Sequence, residues 1–324
     1  MLAAFSDPAG AKAVLAYLWL HGTAAASVTA VSNRWHPFYT DFKVPVLESD
    51  RCPAETWLDN VDILITGTSI PQGFELELIE AATARGIESC AFVDHWTNIA
   101  QRFERGGVRT LPTTIALVDE QALMLAMAAR LPEDRLTVTG NPYHEYLRSW
   151  RPSAKRRDIP GVRDLAPGLP YVLYAPEPLS RFGLKARYGF DEIDGWLMLR
   201  AAREASGGAE FAVVIKAHAN QEHTRFEAVL EPRADPTVVY LRDGDLPALC
   251  HHAATVVGFF SNSLIEARML GRPVVRPLIG MTAGTPDPLE SFEAPDFRTV
   301  RDLPGLVAAL DEILVRAEPK ETLP

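Results

Sequence analysis

Three features of the sequence predict an α/β protein of two domains, each a parallel sheet wrapped by helices, facing one another across a cleft. Short apolar, partly β-branched runs alternate with helix-like segments, first from Leu2 to Thr139 and again from Tyr171 to Arg316. Between them, Arg151-Pro152-Ser153-Ala154-Lys155-Arg156-Arg157 and the closely spaced Pro160, Gly161, Pro167, Gly168 and Pro170 erase any core-facing period. Near the end, the run Thr255 to Phe260 passes through Ser261-Asn262-Ser263 into Leu264-Ile265-Glu266-Ala267, then Gly271 and Pro273-Val274-Val275. That reads as a strand buried on both faces, a polar turn, a helix, a glycine stop and a second strand. The 324 residues therefore divide into a first Rossmann-like domain over 1–150, a linker over 151–170 and a second Rossmann-like domain over 171–324, each long enough to bury its own core.

Composition narrows the function classes. A hydrophobic fraction of 47% and a charged fraction of 23% are those of a globular protein. The formal net charge of −10 argues against nucleic acid as a partner. Cys52, Cys90 and Cys250 are far apart, which suggests neither a disulfide framework nor a zinc site and leaves reduced, cytosolic thiols as the default. No apolar run is long enough to span a bilayer, and Met1 to Ser6 is too short for a signal peptide.

In the first half, Leu2 to Phe5 is the opening strand. Ser6-Asp7-Pro8-Ala9-Gly10 is the strand-to-helix turn, and an Ala/Leu-rich helix follows to about Leu20. Its glycine spacing is not GxGxxG, so dinucleotide binding gains little support. Asp7 and Gly10 would line the cleft at the carboxyl end of the sheet, or simply make a capped turn. Val28 to Val31 and Asp62 to Thr66 are strands, and a helix runs from about Gly73 to Arg85. Ser89 to Val93 is a strand ending in Asp94-His95-Trp96-Thr97-Asn98. Asp94 or His95 there can take a proton from an acceptor hydroxyl, and Trp96 can stack on a sugar face beside Asn98. The alternative is that Asp94 caps the next helix while Trp96 fills the core. Thr113 to Val118, a helix over Glu120 to Ala129 and a strand over Arg135 to Thr139 complete this half, which closes on Gly140-Asn141-Pro142-Tyr143-His144.

The second half restarts with the strand Tyr171 to Ala175 and a long loop carrying Glu177, Arg181 and Lys185, whose cations can offset phosphate charge. A helix over Asp191 to Ala205 leads to the strand Phe211 to Ile215 and then Lys216-Ala217-His218. Two residues apart in an extended chain, Lys216 and His218 share a side and can enter the cleft together. After the short strand Thr237 to Tyr240, Asp243-Gly244-Asp245 mimics a metal-binding DxD but is explained by helix capping, so no metal is expected. Ser261 or Asn262 caps the helix that carries Glu266, leaving backbone N–H groups for an anion. A Pro/Gly/Thr-rich loop to about Pro295 and a final helix over Asp302 to Arg316 end the chain.

The stretch from Val256 to Val275 resembles the last phosphate-binding unit of the GT-B glycosyltransferases and of their relatives, the nucleotide-sugar 2-epimerases. The resemblance implies a GT-B-like fold in which Ser261, Asn262, Ser263 and Glu266 bind the nucleotide, with no cofactor, since the nucleotide-sugar is itself a substrate. Lys216-x-His218 resembles the Lys-x-His-Pro of bacterial sialyltransferases, polysialyltransferases and teichoic-acid glycerophosphotransferases, and the His-Pro-Asn of the epimerases. Ala219 stands where those families have proline. Thr139-Gly140-Asn141-Pro142 resembles a turn of the epimerases, whereas Phe5-Ser6-Asp7-Pro8-Ala9 departs from their Gly-Thr-Arg-Pro-Glu start. The resemblance implies a metal-independent glycosyltransferase with an acceptor domain, then a donor domain. His218, Lys216, Arg181 and the Ser261 turn would neutralise the leaving phosphate, and Asp94, His95 or Asp7 would act as base. The donor would be a CMP-ulosonic acid or a UDP-sugar, and the acceptor a glycan, a lipid-linked sugar or a protein in cytoplasmic assembly of surface polysaccharide. The basic run from Arg151 would meet the membrane surface or remain a solvated charge run. The final helix would cross back toward the first domain. The rival readings are a nucleotide-sugar 2-epimerase and a non-catalytic nucleotide-binding subunit.

Overall fold

The computed structural model describes residues 1–22, 28–49, 53–208, 210–218, 220–230 and 235–316. Ala219 and Cys52 lie outside them. The chain forms two compact units, residues 1–149 and 150–324.

In the first unit, β1 (Leu2–Phe5), α1 (Pro8–Leu20), β2 (Thr29–Ser32), β3 (Val46–Glu48) and β4 (Ile63–Thr66) are followed by α2 (Phe74–Arg85) and β5 (Glu88–Val93). A short antiparallel hairpin of β6 (Glu104–Arg105) and β7 (Val108–Arg109) precedes β8 (Thr114–Leu117), α3 (Glu120–Ala128), β9 (Leu136–Val138) and α4 (Pro142–Ser149). Seven strands form one parallel sheet in the order β3-β2-β1-β4-β5-β8-β9. All four residues of β1 are buried, as a central parallel strand covered on both faces requires. The strand order reverses between β1 and β4, and at such a reversal the loops at the carboxyl ends diverge and leave a crevice. Asp7 lies beyond β1, Thr68 and Ser69 beyond β4, and Asp94 and His95 beyond β5.

The second unit contains β10 (Tyr171–Tyr174), α5 (Lys185–Tyr188), α6 (Glu192–Ala205), β11 (Ala212–Lys216), α7 (His223–Leu230), β12 (Val238–Leu241) and α8 (Leu246–His252). It continues with β13 (Thr255–Val257), α9 (Asn262–Met269), β14 (Val274–Pro277), β15 (Phe297–Val300) and α10 (Leu303–Arg316). Its sheet is again parallel, in the order β12-β11-β10-β13-β14-β15. The reversal here falls between β10 and β13, which puts the loops carrying Glu177 and Ser261 side by side.

Residues 151–170, expected as the interdomain linker, fall within the second compact unit, and Ile159, Val162 and Leu165 are buried at intervals of three. Gly161 approaches β12 so closely that a Cβ there would lie 2.5 Å from Leu241 Cδ2. The basic run is also engaged, with the Arg156 guanidinium 5.5 Å from the Tyr171 ring centroid and the Ala154 carbonyl 3.3 Å from His252 Nε2. Within the second unit, Leu306, Ala309, Leu310, Ile313 and Leu314 of the final helix join the core formed by Tyr174, Trp196, Leu199 and Phe226. Among the described residues no helix is long and apolar enough to cross a membrane.

Candidate functional site

The first unit gathers its polar side chains at the β1/β4 reversal. Asp7 caps α1, its Oδ1 accepting the Ala9 N–H at 3.0 Å. Burial pushes its carboxyl above the ordinary range, and the negative charges of Asp94 and Glu75 push it further, against the pull of the Ala9 N–H and Arg102. Asp94 does not cap a helix. It accepts a hydrogen bond from Arg102 Nη1 at 2.9 Å in an ion pair that is about nine-tenths buried. The same Nη1 donates to Thr68 Oγ1 at 2.9 Å. Glu75, buried in the first turn of α2, ties two loops together by accepting the Ser6 N–H at 2.8 Å, the Ser6 hydroxyl at 2.6 Å and the Ser69 hydroxyl at 3.1 Å.

Two imidazoles flank this acidic group. His95 Nδ1 lies 2.9 Å from the Thr97 hydroxyl and 3.2 Å from the Thr97 nitrogen. Burial lowers the His95 pKa, opposed by Asp94. His36 Nε2 donates to the Ser6 carbonyl at 3.1 Å and is likewise held toward its neutral form by burial. Two carboxyls in contrasting surroundings, one ion-paired and one pushed up, make an arrangement suited to proton transfer.

The residues expected to bind an acceptor do other work. Trp96 is buried and donates its indole N–H to the Asp119 carboxylate at 2.8 and 2.9 Å, so it fills the core as the alternative reading held. Asn98 is exposed in a left-handed conformation (φ 56°), and its carbonyl accepts the Arg102 N–H at 3.2 Å. Gly10 lets the start of α1 press on the loop after β4, where a Cβ would sit 3.0 Å from the Thr68 nitrogen.

In the second unit, Ser261 caps α9, its hydroxyl oxygen accepting the Ser263 N–H at 3.2 Å. Asn262, at the first helical position, has no intrahelical acceptor for its N–H. Glu266 is buried one turn further on. On the loop after β11, which β10 separates from β13, the Asn220 N–H donates to His218 Nδ1 at 3.1 Å, so neutral His218 presents Nε2–H. Burial and the nearby Lys216 charge both lower its pKa. The Lys216 ammonium donates to the Ala217 carbonyl at 2.7 Å and lies 3.4 Å from that of Arg242. Arg181 bridges loops by donating to the Asn220 carbonyl at 3.1 Å. Lys185 is turned to Asp191 and Asp194. Asp245 caps α8, accepting the Ala248 N–H at 3.2 Å.

Glu177, expected to bind the donor, is half-buried and hydrogen-bonded to the turn before α9. Its Oε1 accepts the Phe260 N–H at 2.7 Å, while Oε2 is buried without a partner. Burial raises its pKa to about 8, against the opposing effects of the Phe260 N–H and Arg276. Arg276, unnoticed in the sequence, is fully buried on β14 and donates from Nε to the Phe259 carbonyl at 2.8 Å and from Nη2 to Asp287. Arginine inside an otherwise apolar strand was its signal, because a buried charge must be paired. Arg102 and Glu75 stand in no motif, and their roles come from contacts between loops distant in sequence.

No family model matches the sequence, and no curated protein matches it. Solved structures do. A UDP-GlcNAc 2-epimerase of Methanocaldococcus jannaschii in complex with UDP-GlcNAc and UDP superposes with a TM-score of 0.65 at 11% identity, over 98% of this chain and 93% of that one. One from Neisseria meningitidis bound to UDP-GlcNAc gives 0.65 at 13% identity, over 97% and 91%. The glycotransferase of kitacinnamycin gives 0.53 at 12% identity, over 96% and 90%. The fold is GT-B-like. At these identities the likeness speaks for the fold alone.

Proposed function

We propose that this chain acts on a nucleotide-activated sugar, with the nucleotide phosphates held by the second unit and proton transfer carried out by the first. The observation that carries this reading is that the serine-capped N-terminus of α9, after β13, and His218, after β11 with its proton on Nε2, both lie at the carboxyl end of the same parallel sheet. Both offer donors to an anion, and Arg181 adds charge from the adjoining loop.

Of the two chemistries open to such a site, 2-epimerisation is the better supported. The full-length likeness to UDP-GlcNAc 2-epimerases favours it over transfer. In this reading Asp7 and Asp94 exchange a proton with the sugar carbon next to the phosphate-bearing one as the phosphate departs. Transfer to an acceptor is the second reading. It is favoured by Asp7, which stands where the epimerases' Gly-Thr-Arg-Pro-Glu start has arginine.

Incubation with UDP-GlcNAc in deuterated water tests both. Epimerisation puts deuterium on C2 of the sugar and yields the 2-epimer, and Asp94→Asn suppresses both. Release of UDP only when an acceptor is added, with C2 still protonated, selects transfer. Failure to bind any nucleotide rejects the reading altogether.

A further inference from the structure

The turn that leads into α9 is gripped by the buried Arg276 and the half-buried Glu177. Phe259 C=O and Phe260 N–H belong to one peptide unit. Arg276 Nε donates to its oxygen at 2.8 Å and Glu177 Oε1 accepts its N–H at 2.7 Å. A peptide plane held at both ends cannot rotate, and Ser261 follows it directly. Its tilt therefore sets where the Ser261 hydroxyl and the first free N–H of α9 point.

The surroundings hold the two side chains in turn. Arg276 is anchored by Asp287, by Thr299 Oγ1 at 3.2 Å and by the Phe260 ring, whose centroid is 5.7 Å from the guanidinium. Phe190 stacks on Phe259 at 4.3 Å. Glu177 Oε1 accepts the Phe260 N–H, the Phe259 N–H also favours its ionised form, and Oε2 has no hydrogen-bond partner. An unmatched buried oxygen is costly in a structural carboxylate, and burial without a counterpart is common where strain serves a site.

We propose that Glu177 and Arg276 are positioning residues for the anion-binding turn, and that the protonation state of Glu177 sets how well that turn receives a phosphate. The inference rests on the nucleotide-sugar reading above. The charged and titratable groups around Glu177 are Arg276 from β14, Glu192 from α6 and Tyr174 from β10. Protonated, the carboxyl keeps its Oε1 contact and adds no charge near the phosphate. Ionised, it places a negative charge behind the turn and weakens anion binding.

The test is UDP binding to the full chain by calorimetry between about pH 7 and about pH 9, above the second phosphate ionisation, read beside the amide NMR signals of Phe260 to Asn262 in the free protein. In the wild type those amides titrate together near pH 8, and UDP affinity falls as they do, by at most about tenfold per pH unit for a single linked proton. Glu177→Gln keeps an acceptor for the Phe260 N–H and abolishes both titrations. Arg276→Met weakens UDP across the whole range. UDP binding that ignores pH, or that shows the same pH profile in Glu177→Gln, overturns the inference and leaves the nucleotide reading intact. Absence of UDP binding at every pH rejects the nucleotide reading and the inference with it.

Discussion

Asp7 is asked to do two things that conflict. As N-cap it stabilises α1 by accepting the Ala9 N–H, and as a partly buried carboxylate it faces Asp94 and Glu75. A carboxyl whose folded pKa is raised contributes stability that is present below the unfolded value, about 4, and lost as pH rises through the folded one. Asp7→Asn preserves the cap, since asparagine serves there as well, and removes the charge. The variant should therefore be more stable than wild type by about 1 kcal/mol at neutral pH, with the difference vanishing as pH falls below about 4. Turnover should drop about 10²- to 10⁴-fold if Asp7 moves the proton. Melting curves across that pH range, alongside rates, check both statements, and a variant less stable at every pH would refute the electrostatic account. At this scale the sequence was only partly legible. Asp7, Asp94, His95, His218 and Ser261 stand where strands end, so periodicity found them. It could not say that Asp94 meets Arg102, or that Trp96 turns inward to Asp119, because those contacts join loops by three-dimensional proximity.

Elements were read best where the core wrote their pattern. β1, β10 and β13 are buried throughout because helices cover both faces, and the helices α6 and α10 carry clear inward stripes. β3 escaped because it is a short edge strand whose side chains are mostly exposed. α7 escaped because Phe226 is its single buried residue, and β15 because Phe297 alone is buried in it. One inter-element contact depends on glycine at both sides. A Cβ on Gly67 would lie 2.8 Å from both the Cα and the carbonyl carbon of Gly10, where α1 crosses the loop after β4. Backbone against backbone has no flexible side chain to yield. Gly67→Ala should destabilise the first unit by about 1–3 kcal/mol and disturb Thr68, hence the Arg102–Asp94 pair. Urea unfolding measures the first effect, and a midpoint equal to that of wild type would show that α1 can retreat without loss.

On the scale of the whole chain, each unit has its own sheet and its own strand-order reversal. That duplication was visible in the sequence as two alternating halves separated by a Pro/Gly-rich break. The role of the break was not, since three buried side chains spaced through a polar segment leave little periodic trace. Two cores also give the assignment of roles a thermodynamic signature. A ligand that binds one folded unit stabilises that unit by RT ln(1 + [L]/Kd), about 2.7 kcal/mol at a hundredfold excess over Kd. For a unit of this size the shift in melting temperature is roughly 5–10 °C. Calorimetric scans should accordingly resolve two transitions, with the first unit's identified as the one that Gly67→Ala lowers. UDP should raise the other transition alone, and His218→Ala should abolish that rise. On the proposed reading, in which the sugar meets Asp7 and Asp94, UDP-GlcNAc should raise both. If UDP moves the transition marked by Gly67→Ala and leaves its counterpart in place, phosphate binding belongs to the first unit and the division of labour proposed for the two sheets is reversed.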